Sequence, residues 1–175
     1  MRQMAFLVAL MIGATGVLAQ APKVTEPSEE ALGAFKAVMD AAFGKDSAKL
    51  KSLISRDGIP EEELDEVVKS IGERIDEGLP RPKPVASARS GKVAAVIMSY
   101  RDPGDTEDTV ESTYFILEGD TWKLLFGEPD DDALQADWDA IEAWADAKED
   151  ELDPSRQAPS TQPAETAPLP VPMPQ

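Results

Sequence analysis

The sequence contains no cysteine and no histidine in its 175 residues. Without cysteine the chain can form neither disulfide bonds nor thiolate metal sites, and it offers no N-terminal cysteine for lipid modification. Without histidine, Ser-His-Asp and Cys-His nucleophile systems and histidine-ligated zinc or iron sites are excluded. Carboxylates, tyrosine and lysine are the side chains left for reactivity, and we predict no cofactor and no metal site.

Basic residues are scarce, with 17 Lys and Arg against 34 Asp and Glu, for a net charge of −17. A surface of this sign repels phosphate backbones and anionic membrane faces, so nucleic-acid binding is not expected. The simplest interpretation is that the charge keeps the protein soluble in an exposed compartment, and a dedicated basic partner is the alternative.

Long apolar runs are limited to the N-terminus, where Arg2 precedes the apolar segment from Met4 to Leu18. This segment is shorter than the roughly 20 residues that a membrane-spanning helix needs. Together with the small-residue site that ends at Ala19, it is typical of a secretory signal peptide over residues 1–19. We predict a periplasmic or secreted protein, cleaved after Ala19 and not stably inserted in a membrane afterwards. An uncleaved N-terminal anchor is the alternative.

Residues 20–26 are predicted to be a linker, and residues 27–150 a single domain. Helical spacing of apolar residues and capping signals predict helices over residues 28–43, 46–55, 60–77 and 131–150. Residues 154–175 contain seven prolines and almost no large apolar side chains. We interpret them as a disordered, proline-rich tether, with a partner-binding peptide as the alternative.

The segment between the third and fourth predicted helices is rich in β-forming residues. Strands are predicted over residues 85–89, 92–101, 109–118 and 121–126, separated by short turns that contain glycine or proline. Such short connections imply a four-stranded antiparallel meander, and therefore an α+β fold with N-terminal helices packed on the sheet. We expect the apolar stripes of three or four helices to cover one side of it. The apolar run from Val93 to Met98 indicates a central strand covered on both faces.

Two segments carry a resemblance to a known family. FKAVMDAAFGKDSAKLKSLI resembles an opening helix and its step into the next helix, and EGDTWKLLF resembles a closing strand, in the nuclear transport factor 2-like (cystatin-like) superfamily. The similarity covers about residues 27–128 and suggests an uncharacterised exported branch. It implies a cone-like arrangement of sheet and helices, whose interior is a pocket in the enzymes and is often filled in relatives without known activity.

The resemblance also implies one chemistry that needs no histidine. The family's steroid isomerase branch uses a carboxylate base and a tyrosine donor around an apolar cavity, whereas its histidine-aspartate dehydratases are excluded here. In this sequence the catalytic candidates are Asp40, Tyr100 and Tyr114. The alternative is that Asp40 lies at the solvent edge of its helix and that both tyrosines cap the core with hydrated hydroxyl groups.

Alternation along the last predicted strand places Trp122, Leu124 and Phe126 on one face. These side chains would either fill the core or line an apolar ligand pocket, because both environments select the same residue types. The candidate pocket residues are Phe35, Met39, Tyr100, Phe115, Trp122, Leu124 and Phe126.

These observations favour an exported, non-enzymatic binding or interaction module of the cell envelope, whose partner is a protein or a small apolar ligand. Two alternatives remain open. One is a cofactor-free lyase or isomerase that uses the carboxylate and tyrosine candidates. The other is a weak divalent-cation binder based on the acidic clusters Asp102–Asp108 and Glu128–Asp132. A homodimer is also left open.

Overall fold

The computed structural model of the chain describes residues 22–57 and 59–153. The predicted signal peptide and the predicted proline-rich tail lie outside the described residues, so both stay predictions. In chain order the described elements are α1 (Glu29–Phe43), α2 (Ser47–Ser52), α3 (Leu64–Asp76), β1 (Lys83–Ser90), β2 (Val93–Tyr100), β3 (Thr109–Glu118), β4 (Thr121–Leu125), a 3₁₀ turn (Asp132–Leu134) and α4 (Gln135–Leu152).

The first two helices begin at capping side chains. The hydroxyl of Ser28 accepts a hydrogen bond from the N–H of Ala31 at 3.2 Å, and the Asp46 carboxylate accepts one from the N–H of Lys49 at 3.0 Å. Each cap satisfies a backbone donor that the first turn of a helix leaves unpaired.

The second helix ends at Ser52 and not at residue 55, because the next residues pair with the sheet. The N–H of Leu124 donates to the carbonyl of Leu53 at 2.8 Å, and the N–H of Ser55 donates to the carbonyl of Leu124 at 2.7 Å. These bonds cover part of the outer edge of β4. Competition from a distant strand therefore shortens the helix, which local spacing could not predict.

The four strands form an open antiparallel sheet in the order β1-β2-β3-β4, which confirms the predicted meander and the α+β class. Ala95 lies opposite Ala88 on one side and Tyr114 on the other, so β2 is a central strand. Phe115 of β3 lies opposite Leu124 of β4. Short turns connect consecutive strands, as an antiparallel meander requires.

Helices cover both faces of this sheet. Ala94 and Val96 of β2 pack in one apolar cluster with α1, α2 and α3, and we call this side the α1–α3 face. Val93, Ala95 and Ile97 point the other way and pack against α4, on what we call the α4 face. Three helices thus cover one side, within the expected three or four, and α4 supplies the cover that the apolar run of β2 predicts for the other face. All five of these β2 side chains are fully buried, so the second face needs a cover of its own.

Candidate functional site

The first catalytic candidate, Asp40, lies at the surface near the end of α1 and not in a cavity. Its side chain is 40% exposed and forms ion pairs with Lys36, one turn earlier in the helix, and with Arg81. Hydrogen bonds from Lys36 and then from Arg81 lower the pKa of Asp40 to about 2. A carboxylate held this strongly in its charged form is a poor proton acceptor, so the structure does not support Asp40 as a general base.

The two tyrosine candidates lie on opposite faces of the sheet. Tyr114 belongs to the α4 face, where its ring centroid lies 4.7 Å from that of Trp138. Alternation along β2 puts Tyr100 on the α1–α3 face, with Ala94 and Val96. Burial, and then a hydrogen bond with Glu111, raises the pKa of Tyr100 to about 12, and burial also raises the pKa of Tyr114. The structure does not bring the three catalytic candidates together.

Most of the candidate pocket residues are part of the core. Phe35, Phe115 and Leu124 are 3%, 0% and 8% exposed and pack in the same cluster, so side chains fill the space between α1 and the sheet. Met39 and Trp122 are partly buried against this cluster. Phe126, by contrast, is 39% exposed. The face shared by Trp122, Leu124 and Phe126 thus runs from the core to the surface.

An open apolar groove of about 470 Å³ lies where Phe126 meets the outer side of α3. It forms because α3 packs on α1 and α2 instead of lying flat on the sheet. In the helix only Leu64 and Val68 are buried. We call this feature the α3 groove, and it is lined by Ile59, Glu63, Glu66, Val67, Ser70, Ile71, Arg74 and Phe126.

Helical spacing in the third predicted helix puts Val67 and Ile71 on its apolar stripe, and no local pattern marks Ile59 or Arg74. Of the five apolar residues in this stripe, namely Leu64, Val67, Val68, Ile71 and Ile75, only Leu64 and Val68 are buried, and helical spacing does not separate these two from the rest. Val67 and Ile71 line the α3 groove, whereas Ile75 lines a separate pocket.

Charges of opposite sign mark the two ends of the α3 groove. Glu63 and Glu66 lie at the N-terminal end of α3, and Arg74 lies near its C-terminal end. Within the described part of the chain, none of these three side chains forms a salt bridge. The charge of Arg74 also acts on Tyr100, where it partly opposes the rise in pKa. The groove therefore offers unpaired charges around an apolar centre.

The acidic clusters have structural explanations. In the first, the N–H of Asp105 donates to the carbonyl of Asp102 at 3.1 Å, which closes a turn. In the second, the carboxylate of Asp131 accepts a hydrogen bond from the N–H of Ala133 at 2.9 Å and caps the 3₁₀ turn. No group of three or more His, Cys, Asp or Glu residues is placed to hold a metal ion in residues 22–57 and 59–153. In the same ranges, no helix has the length and hydropathy needed to cross a bilayer.

Comparisons with family models, with curated proteins and with solved structures gave no match for this chain. The resemblance to the nuclear transport factor 2-like superfamily thus stays a prediction. The geometry of the α3 groove is the basis on which function can be argued.

Proposed function

We propose that the protein is an exported, non-enzymatic binding module of the cell envelope, and that the α3 groove is its binding surface. The exposed ring of Phe126 beside the half-buried side chains of Val67 and Ile71 is the observation that carries this proposal. Burying a large apolar side chain contributes about 1.5–3 kcal/mol, so a partner that covers this groove gains binding energy from it.

The arrangement of the reactive groups favours binding over catalysis. Asp40 is held ionised at the surface, and the two tyrosines lie on opposite faces of the sheet. A general base must lie within hydrogen-bonding reach of the atom it deprotonates and near the group that stabilises the product charge. The candidates do not meet this condition, whereas the groove needs no reactive group to bind a partner.

A neutral solvatochromic dye such as Nile red tests the site without electrostatic attraction. We expect Phe126→Ala to weaken dye binding about fivefold, because the exposed ring supplies part of the apolar contact. Val85→Ala is the matched control, since Val85 is 48% exposed but lies outside the groove. Equal loss in both variants, or no loss in Phe126→Ala, would show that the dye binds elsewhere and would overturn the proposal.

The export component rests on the N-terminal pattern of Arg2, the apolar run and Ala19. We expect the protein to be recovered outside the cytoplasm, with an N-terminus that begins at Gln20. Cell fractionation followed by N-terminal sequencing measures both properties. A full-length chain retained in the cytoplasm would contradict export but would leave dye binding in the groove unaffected.

A further inference from the structure

We infer that the α3 groove binds a short cationic amphipathic helix of a partner protein, an inference that rests on the binding function proposed above. Three observations carry it: the shape of the groove, the charges at its rim and the charge of the whole chain.

The lining residues contributed by α3 and its N-cap follow one helical stripe. They occur at positions 63, 66 and 67, 70 and 71, and 74, which are spaced by three or four residues over three turns. The eleven steps from residue 63 to residue 74 span about 16 Å at a helical rise of 1.5 Å per residue. The apolar centre of the groove, formed by Ile59, Val67, Ile71 and Phe126, fits the recognition mode in which a partner helix inserts apolar residues spaced by three, four and seven positions.

The openness of the groove argues against a small apolar molecule as its natural occupant. Small-molecule sites are concave and bury about 70–90% of the ligand surface. Here Phe126 is 39% exposed, and residues at both ends of the groove are charged. A helix lying along α3 would cover the apolar centre and leave its own polar side in water.

The charges favour a cationic partner. Glu63 and Glu66 are exposed, as is Glu62 beside them, and the chain as a whole carries a net charge of −17. A field of this sign accelerates association with cations and repels a second copy of the same chain. The glutamates at one end of the groove and the net charge of the chain therefore both favour a positively charged partner.

Arg74 gives the site a direction. A partner helix with basic residues toward its C-terminus would put them against Glu63 and Glu66 when it lies antiparallel to α3. Its acidic N-terminal residues would then face Arg74. Basic residues at the C-terminus and acidic residues at the N-terminus also suit the dipole of the partner helix itself. The antiparallel orientation satisfies both requirements.

Two synthetic helical peptides of the same apolar spacing test the inference, one with lysines and one with glutamates on the polar side. Binding to the whole exported chain is measured by fluorescence anisotropy at 150 mM salt. We expect the lysine peptide to bind at least about tenfold more tightly than the glutamate peptide. We also expect Phe126→Ala to weaken binding of the lysine peptide, as it weakens binding of the dye.

Charge variants separate the groove from general attraction to an acidic protein. We expect the double variant Glu63→Gln, Glu66→Gln to weaken binding of the lysine peptide about tenfold. The matched control, Glu142→Gln with Asp146→Asn, should weaken this binding less than about twofold. Glu142 and Asp146 are exposed on α4, which covers the opposite face of the sheet. Equal weakening by the two pairs would overturn the inference, because binding would then depend only on net charge.

The remaining outcomes separate this inference from the proposed function. Dye binding that depends on Phe126, without binding of either peptide or with equal binding of both, overturns the cationic-helix inference and leaves the binding function in place. If the dye also fails to bind the wild-type protein, both the cationic-helix inference and the proposed binding function are overturned. Light scattering measures whether the protein is a dimer. A dimer that dissociates in Phe126→Ala would show that a second copy of the chain occupies the groove, and it would overturn the inference.

Discussion

The hydroxyl of Ser90, at the end of β1, donates a hydrogen bond to the carboxylate of Asp137 in α4 at 2.8 Å. The same carboxylate accepts a longer bond from the N–H of Lys92 at 3.4 Å. Ser90 is fully buried, so this contact satisfies a hydroxyl group that water cannot reach. It joins the turn between β1 and β2 to the helix on the α4 face.

Gly91 lies between these two donors, and a side chain there would disrupt the contact. Its φ is +50°, and an added Cβ would lie 2.0 Å from an Asp137 carboxylate oxygen. We expect Gly91→Ala to lower the free energy of unfolding by about 2–4 kcal/mol, through left-handed backbone strain and loss of the Ser90 bond. Gly119→Ala is the control, because Gly119 has φ +60° and no atom within 4 Å of the added Cβ. Urea unfolding measures both, and equal losses would show that Asp137 adjusts freely.

The burial of the second face of the sheet by α4 predicts that this helix contributes to stability. Ile141 is fully buried on the α4 face, whereas Leu152 in the same helix is 37% exposed. We expect Ile141→Ala to lower the free energy of unfolding by about 2–5 kcal/mol, because it opens a cavity. Leu152→Ala should lower it by less than about 0.5 kcal/mol. Thermal and urea unfolding provide the comparison. Similar effects of the two substitutions would contradict the packing of α4 on β1 and β2.

Glu118 connects the segment after α2 to the last hairpin. It accepts a hydrogen bond from the buried hydroxyl of Ser55 and forms a 2.7 Å ion pair with Lys123. We expect Glu118→Ala to lower the free energy of unfolding by about 1–3 kcal/mol, because Ser55 loses its acceptor. Asp120→Ala, an exposed position in the same hairpin, serves as the control and should have little effect.

The stabilisation by Glu118 should also depend on pH. Burial by itself raises the pKa of Glu118, but hydrogen bonds from Lys123 and Ser55 lower it below its ordinary value of 4.5. A carboxylate with a lowered pKa stabilises the fold above its ordinary pKa, and this contribution is lost as the pH falls through the pKa of the folded state. The difference in stability between the wild type and Glu118→Ala should therefore shrink below about pH 4.5. A difference that grows on acidification would reverse the expected sign.

Asp40 provides a direct test of the argument against a catalytic base. Its carboxyl group should titrate at about pH 2 in the folded protein, and Lys36→Gln with Arg81→Gln should raise the pKa toward 3.8. The ion pairs thus contribute stability above pH 3.8, which is lost as the pH falls through about 2. Carboxyl carbon NMR shifts measure the titration. A pKa above 5 would restore Asp40 as a candidate base.

Local pattern was sufficient for most of the secondary structure. Ser28 and Asp46 begin the first two helices as capping residues do, and β3 spans residues 109–118 as its β-forming residues and flanking turns predicted. Pattern failed at two helix boundaries, one set by a distant segment and the other by a local turn. Residues after Ser52 pair with β4, and α3 begins at Leu64 instead of residue 60, after a turn in which the N–H of Glu63 donates to the carbonyl of Pro60 at 3.0 Å.

The candidate site was less accessible to prediction. Phe126 is among the predicted pocket residues, but Ile59 and Arg74 are not. No pattern in the sequence around these two marks them as residues that line an exposed groove. Periodicity identifies which residues of a helix are apolar, and it does not identify which of them a neighbouring element will cover. For Val67 and Ile71 that depends on α3 packing against α1 and α2, away from the sheet.

By itself, the sequence determined the reactive groups available, the sign of the surface charge, the strand order of a meander with short turns and the apolar residues of each element. These properties follow from composition and from spacing within single segments. Only the tertiary structure decided that α4 covers the second face, that Tyr100 and Tyr114 are separated by the sheet, and that α3 leaves a groove beside Phe126. Packing between distant segments assigns each apolar side chain to the core or to the surface, and spacing along the chain does not contain that information.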